Sequence, residues 1–246
     1  MIKDKIALIT GASSGIGYQT ALALSKAGAK VAAGARRMDK LEALKNEITS
    51  NGGEVLIKQL DVTKKSDCDS FVEAAVGKWG TVDILVNNAG LMPLSFFKNM
   101  KIDEWDRMID VNLRGVIYST AAAILHMTAK KSGHIVNISS IAGRVVFPAG
   151  TVYCATKHAV TAFSEGLRQE FSQRYNIRVT CIEPGVVDTE LNSSITDKSL
   201  EKFVEATKQM QSLKATDIAN AIVFAVDSPP YMNVNEIMLR PTSQER

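Results

Sequence analysis

The first 27 residues constrain this chain more than any other stretch. Lys5–Thr10 is a short run of β-branched and aliphatic residues, the pattern of a buried strand. It runs directly into Gly11-Ala-Ser-Ser-Gly15-Ile-Gly17, and Tyr18–Ala27 reads as a helix. A strand, a glycine-rich turn and a helix in that order make a phosphate-binding device. Glycines let the backbone approach a ligand, and the helix amino end offers free N–H groups and a positive dipole. A lone glycine cluster is usually a plain tight turn; its placement between strand and helix reverses that preference. The spacing is G-x-x-x-G-x-G, not the better-known G-x-G-x-x-G.

The alternation continues along the chain. Lys30–Gly34, Glu54–Leu60, Val82–Val86, His134–Ser140, Ile177–Ile182 and Glu236–Arg240 read as strands. Leu41–Ser50, Ser66–Lys78, Asp103–Lys130, Thr151–Tyr175 and Asp217–Ala225 read as helices, with Gly133 closing the longest. This rhythm predicts a parallel sheet with helices on both faces. Ligands of such sheets sit at the carboxyl ends of the strands. The glycine turn, Asp61 and Asn87-Asn88-Ala89-Gly90 all fall on that edge. The polar, helix-forming stretch at about 186–212 is expected as a substrate lid. No repeat, low-complexity segment or linker interrupts residues 1–246, so a single domain is expected.

Composition narrows the classes. Apolar residues make up 46% and charged residues 22%, ordinary for a soluble globular chain. The net charge of +3 is spread without a basic block, which argues for no nucleic-acid partner. No apolar run approaches the ~18 residues that suggest a membrane span, and the amino end reads as a strand rather than a signal peptide. Cys68, Cys154 and Cys181 are an odd number without paired spacing, and His126, His134 and His158 form no ligand pattern, so neither a disulfide framework nor a metal site is expected. A reducing, cytoplasmic compartment fits.

The second strand ends Gly34-Ala35-Arg36-Arg37, and the first acid afterwards is Asp39. An NAD site would carry Asp or Glu here for the ribose 2′-hydroxyl. Arginine instead binds a 2′-phosphate through two parallel hydrogen bonds. The cofactor expectation is therefore NADP(H), with Arg36 foremost, Arg37 beside it and Ser13 adding a hydroxyl.

Tyr153 and Lys157 are four residues apart, one turn on one helix face. A phenol titrates near ~10, and a neighbouring cation favours its phenolate. The pair reads as a tunable acid/base. Helix 103–130 is apolar on nearly every face, which predicts cover on both sides. A partner subunit is expected through helices 103–130 and 151–175, giving a homotetramer or at least a homodimer. Asn112 interrupts that apolar helix and must be satisfied there.

Thr10-Gly11-Ala12-Ser13-Ser14-Gly15-Ile16-Gly17, Asn87-Asn88-Ala89-Gly90, Ser140, Tyr153-x-x-x-Lys157 and Pro184-Gly185, in this order and spacing, resemble the short-chain dehydrogenase/reductase family over essentially the whole chain. The resemblance implies an α/β, doubly wound, Rossmann-type fold and hydride exchange between a nicotinamide cofactor and a carbonyl or alcohol. It implies Tyr153 as general acid or base, Lys157 as the cation beside it and on the ribose, Ser140 on the substrate oxygen, and Asn112 holding a water toward Lys157. Gly11, Ser14, Gly15, Ile16 and Gly17 would border the pyrophosphate, and Asp61 and Val62 the adenine. Asn88 would support the central strand, and Asn88, Ala89 and Gly90 stand among the cofactor-binding residues. Pro184, Gly185, Val187 and Thr189 would meet the nicotinamide end.

Substrate residues are expected on the loops beyond the strands: Met92, Arg144, Val146, Val186 and Leu191. Arg144 is the one cation of those loops. Pointing inward, it implies a carboxylate substrate; pointing outward, a neutral ketone or aldehyde. The expectations are an NADP-dependent carbonyl or aldehyde reductase, with a serine- or threonine-type 3-hydroxy acid dehydrogenase as the alternative. A cofactor-sensing protein without turnover is a third, disfavoured by the intact Ser140, Tyr153 and Lys157.

Overall fold

The computed structural model describes residues 1–244; residues 245–246 of the expected domain lie outside the described residues. The aliphatic runs become strands and the amphipathic stretches helices. In order these are β1 (Ile6–Thr10), α1 (Gly15–Lys26), β2 (Lys30–Ala35), α2 (Met38–Ser50), β3 (Val55–Gln59), α3 (Lys65–Trp79) and β4 (Ile84–Asn87). Then come α4 (Ile102–Ile109), α5 (Gly115–Lys130), β5 (Gly133–Ile138), α6 (Thr151–Tyr175) and β6 (Ile177–Pro184). The last part holds β7 (Val187–Asp188), α7 (Glu201–Gln209), β8 (Leu213–Lys214), α8 (Ala215–Asp227) and β9 (Glu236–Leu239).

Among the described residues the main sheet has seven strands in the order β3-β2-β1-β4-β5-β6-β9, all paired in parallel. The chain winds outward from β1 to β3, returns to place β4 beside β1, and winds the other way. That reversal leaves a crevice at the carboxyl ends of β1 and β4, where open α/β sheets bind ligands. The register Thr10↔Gly34 and Ile9↔Val86 sets the glycine turn beside both the Arg36 corner and Asn87–Gly90.

Both faces of the sheet are covered, so its strands are continuously apolar. Ala7, Ile9, Val31 and Ala33 bury against Leu24, Leu41, Leu44, Ile218 and Ile222 on one side. Leu8, Leu85 and Ile135 bury against Phe71, Val72, Ala123, Met127 and Leu167 on the other. The alternation of Ala7, Leu8 and Ile9 between the two layers is the two-residue period of a strand.

Three local expectations are corrected. The expected helix 103–130 is continuous over Ile102–Lys130 but contains a π turn at Asp110–Arg114, centred on Asn112. Gly133 does not close it: Lys131 takes the left-handed conformation (φ 51°), and Gly133 opens β5. The stretch 188–211 is not one helix but β7, short 3-10 turns and α7. Thr189 Oγ1 accepts from Leu191 N and Asp197 Oδ1 from Ser199 N, local bonds that compete with a helix ladder. The helix Ile102–Lys130 is long and apolar enough to cross a membrane by length and composition alone. Its Ala123 and Met127 are fully buried against the sheet, which makes it a layer of this fold.

Candidate active site

The strand ends open into one cleft of about 1650 Å³. At one end it is lined by Gly11, Ser13, Ser14, Gly15, Ile16, Arg36, Arg37, Asp61 and Val62. Across the middle lie Asn88, Ala89 and Gly90, and at the far end Ser140, Tyr153, Lys157, Pro184, Gly185, Val187 and Thr189. The structure thus gathers nearly all the expected cofactor residues on one surface.

The glycine turn is built for close approach. Gly11 and Gly15 have φ of 67° and 56°, the left-handed region that suits glycine. Gly17 is the exception among the turn residues: it is buried rather than lining the cleft, and a Cβ there would overlap Asn88 Nδ2 and the Gly11 carbonyl. Asn88 Nδ2 donates to the carbonyls of Thr10 (3.0 Å) and Gly11 (3.2 Å), while the Asn88 and Ala89 amides donate to Thr10 Oγ1. Asn88 therefore braces the end of β1.

At the arginine corner the two side chains part company. Arg37 donates to Ser13 Oγ and Ser14 Oγ (3.2 and 2.7 Å) and pairs with Glu190 at 2.9 Å. Arg36 lines the cleft near Asp61. Burial pushes the Asp61 carboxyl up, but bonds from the Thr63 hydroxyl and amide, with the Arg36 and Lys64 charges, outweigh it and hold Asp61 below its usual range.

The chemical end is buried. Tyr153 and Lys157 sit one turn apart on α6 and are 5% and 7% exposed. Burial pushes the Tyr153 phenol up to about 12, with the Ser140 hydroxyl acting in the opposite sense. Burial also pulls Lys157 down to about 8. Lys157 Nζ lies 5.7 Å from the Tyr153 ring centre and donates to the Ile138 carbonyl at 2.8 Å. The expectation that the cation lowers the phenol pKa is thus outweighed here by desolvation of both groups. Ser140 Oγ accepts from Ala142 N (3.1 Å) and donates to the Pro184 carbonyl (3.3 Å).

Asn112 is 1% exposed and does not line the cleft. Its Nδ2 donates to the Leu91 carbonyl (2.9 Å) and Thr156 Oγ1 (3.3 Å), and its Oδ1 accepts from Leu91 N (2.9 Å). Asn112 thereby straps the loop after β4 to α6.

Met92, Val146, Val186 and Leu191 line the substrate end, with Leu91, Leu94, Ala142, Val145, Phe147 and Leu200. Arg144 does not. Its Nε donates to both oxygens of Glu183 (2.9 and 3.0 Å), and its other arm pairs with Glu236. This corrects its place among substrate residues: carboxylates on two neighbouring strands, β6 and β9, hold its guanidinium away from the cleft. Burial raises the Glu183 carboxyl despite the Arg144 charge beside it. Sequence reasoning missed the role of Glu183, whose signal was the one acid in the strand Ile177–Pro184. It also missed the buried ladder in which Asn87 Nδ2 donates to Asn137 Oδ1 and Thr120 Oγ1, and Asn137 Nδ2 to Ser164 Oγ. Among the described residues no group of acids, histidines and cysteines has metal-ligand geometry.

Comparison with known proteins agrees with this geometry. A family model described as short chain dehydrogenase matches residues 5–200. An uncharacterised oxidoreductase of Staphylococcus saprophyticus is 47% identical, covering 99% of this chain and 98% of its own. A solved serine dehydrogenase complexed with NADP+ superposes with a TM-score of 0.90 at 34% identity, over 98% of this chain and 96% of that one. An alcohol dehydrogenase from the archaeon Thermococcus sibiricus, complexed with 5-hydroxy-NADP, gives 0.88 at 32% identity over 99% of both chains. With the sheet order, the glycine turn and the Ser140–Tyr153–Lys157 grouping already in place, these likenesses assign the chain to the short-chain dehydrogenase/reductase family of oxidoreductases.

Proposed function

We propose that this protein is an NADP(H)-dependent carbonyl reductase or alcohol dehydrogenase acting on neutral, largely apolar aldehydes or ketones. The observation that carries it is one continuous cleft with a two-arginine, two-serine corner at one end and Ser140, Tyr153 and Lys157 in an apolar chamber at the other. The residues fit the cofactor: the positive-φ glycines admit a pyrophosphate, and Arg36, Arg37 and Ser13 offer donors to a 2′-phosphate.

The bound cofactor supplies or accepts the hydride; the chain's residues manage the oxygen. With substrate in place the Ser140 hydroxyl turns its one proton from the Pro184 carbonyl to the substrate oxygen and stabilises the charge that develops there, while still accepting from Ala142 N. Tyr153, held protonated by burial, delivers the proton in reduction and removes it in oxidation. The Lys157 ammonium steadies the phenolate left behind. Burial strengthens each of these interactions.

The commitment of Arg144 to Glu183 and Glu236 supports a neutral substrate. A 3-hydroxy acid reading draws on the likeness to serine dehydrogenase and needs another cation; Arg107 and Lys202 line the cleft and are available for that. Buried free thiols at Cys68, Cys154 and Cys181 support a cytoplasmic setting. Exposed Ile109, Ile117 and Leu125 along Ile102–Lys130 support a homodimer or homotetramer through that helix and α6.

The test is a fluorescence titration of NADPH and NADH against wild type and Arg36→Ala, followed by turnover of neutral carbonyls and 3-hydroxy acids. NADPH preference that collapses in the variant, with turnover of neutral carbonyls, is expected. Equal binding of both cofactors, or turnover of 3-hydroxy acids alone, overturns the corresponding half.

A further inference from the structure

Glu183 is 1% exposed and takes no part in the proton or hydride steps above. It stands near the end of β6, immediately before Pro184-Gly185. Two segments reach it directly, and a third reaches it through Arg144. From the loop after β5, Arg144 Nε donates to both carboxylate oxygens at 2.9 and 3.0 Å. From α6, Thr161 Oγ1 donates to Oε1 at 3.4 Å and sits 2.9 Å from Ser139 Oγ, while Ser139 Oγ reaches the Lys157 carbonyl at 3.0 Å. From β9, Glu236 holds the other arm of Arg144.

The two hydrogen bonds of Ser140 bridge the same segments. The hydroxyl accepts from Ala142 N, two residues before Arg144, and donates to the carbonyl of Pro184, the residue after Glu183. The guanidinium–carboxylate contact therefore runs parallel to the bonds that aim Ser140. We propose that Glu183 is a positioning residue, which through Arg144 fixes the Ser140 loop against β6 and α6 and so sets the Ser140 hydroxyl on the reacting oxygen.

The physics favours geometry over mere stability. Only the Glu183 half of this pair is buried, so its net contribution to stability is small, yet losing Arg144 would strand a buried charge. The contact thus resists sliding without contributing much to holding the fold. A guanidinium fork fixes orientation as well as distance, and an ammonium does not. A misplacement of about 1 Å at a reacting group costs about a hundredfold in rate.

The inference rests on Ser140 acting on the carbonyl oxygen, so the experiment has a readout that does not need turnover. Wild type, Glu183→Gln, Arg144→Lys and Glu236→Gln are compared by kcat, KM, the isotope effect with 4-deuterated NADPH, and amide hydrogen exchange of residues 140–145. Glu183→Gln and Arg144→Lys are expected to lower kcat about 10–100-fold with KM within about threefold, to raise the isotope effect and to speed exchange at Ala142 and Gly143. Glu236→Gln, changed at a half-exposed acid, is expected to stay near wild type. Should Glu183→Gln fail to fold, Arg144→Lys decides. Wild-type kcat and exchange in the folded variants overturns the proposal. So does a loss of rate matched by an equal loss of NADPH-binding sites with the isotope effect unchanged, since that is a purely structural role. Wild type turning over no carbonyl overturns the functional reading instead, and the exchange data still decide this one.

Discussion

Removing the Tyr153 hydroxyl removes the proton donor and leaves the surrounding packing almost intact. Tyr153→Phe should lower turnover by about 10²–10⁴-fold while NADPH still binds, measured by initial rates beside fluorescence titration; retained turnover would sink the assignment. His134 gives a test far from the chemistry. Thr180 Oγ1 donates to the Val234 carbonyl, so it accepts from His134 Nε2, and the buried Nδ1 is left bare. Burial, helped by the Arg178 charge, holds this imidazole well below its ordinary titration range. The unfolded chain takes up a proton near pH ~6.5 that the folded chain refuses, so stability should fall as pH drops below that value. The melting temperature should decline between about pH 7 and pH 5, and less steeply in His134→Leu; identical slopes would count against it. At this scale the sequence was most legible where a residue type admits few roles. Tyr153, Lys157, Ser140 and the glycines could be named from spacing. Arg144 could not, because an arginine on a loop is equally able to face a ligand or two carboxylates from strands distant in sequence.

Elements were legible where one period runs unbroken. The extent of α6 follows from its apolar face, and the strands from their aliphatic runs. The π turn at Asp110–Arg114 left no such trace, because one extra residue in a turn does not change which residues are apolar. The lid was misread for a different reason: Thr189, Ser193, Ser194 and Asp197 carry short polar side chains that bond their own backbone and break the helix. The junction of β1 and α1 offers a sharp test. Gly17 faces the Asn88 amide and the Gly11 carbonyl with no room for a methyl group. Gly17→Ala should cost about 1–3 kcal/mol and weaken NADPH binding, checked by thermal denaturation with and without cofactor. A wild-type melting temperature would show that the turn can yield.

The whole molecule presents more apolar surface than its own sheet can cover. Leu125 is 72% exposed, and Phe224 and Tyr231 stand out near the far edge. Sedimentation at micromolar concentration should give a dimer or tetramer for wild type and a smaller species for Leu125→Glu; a wild-type monomer would remove the partner subunit from the account. The doubly wound order was readable because strand and helix alternate so regularly, whereas the packing of β9 against β6 joins residues more than fifty positions apart and leaves no local signature. That pairing bears on how the protein is made. Synthesis runs from the amino end, so Ser140, Tyr153 and Lys157 emerge from the ribosome well before Glu236. Until β9 docks beside β6, Arg144 holds only one of its two carboxylates and the edge of β6 lies open. The nascent chain can assemble its acid and base early, but the last arm of the brace behind Ser140 closes only when β9 has been translated.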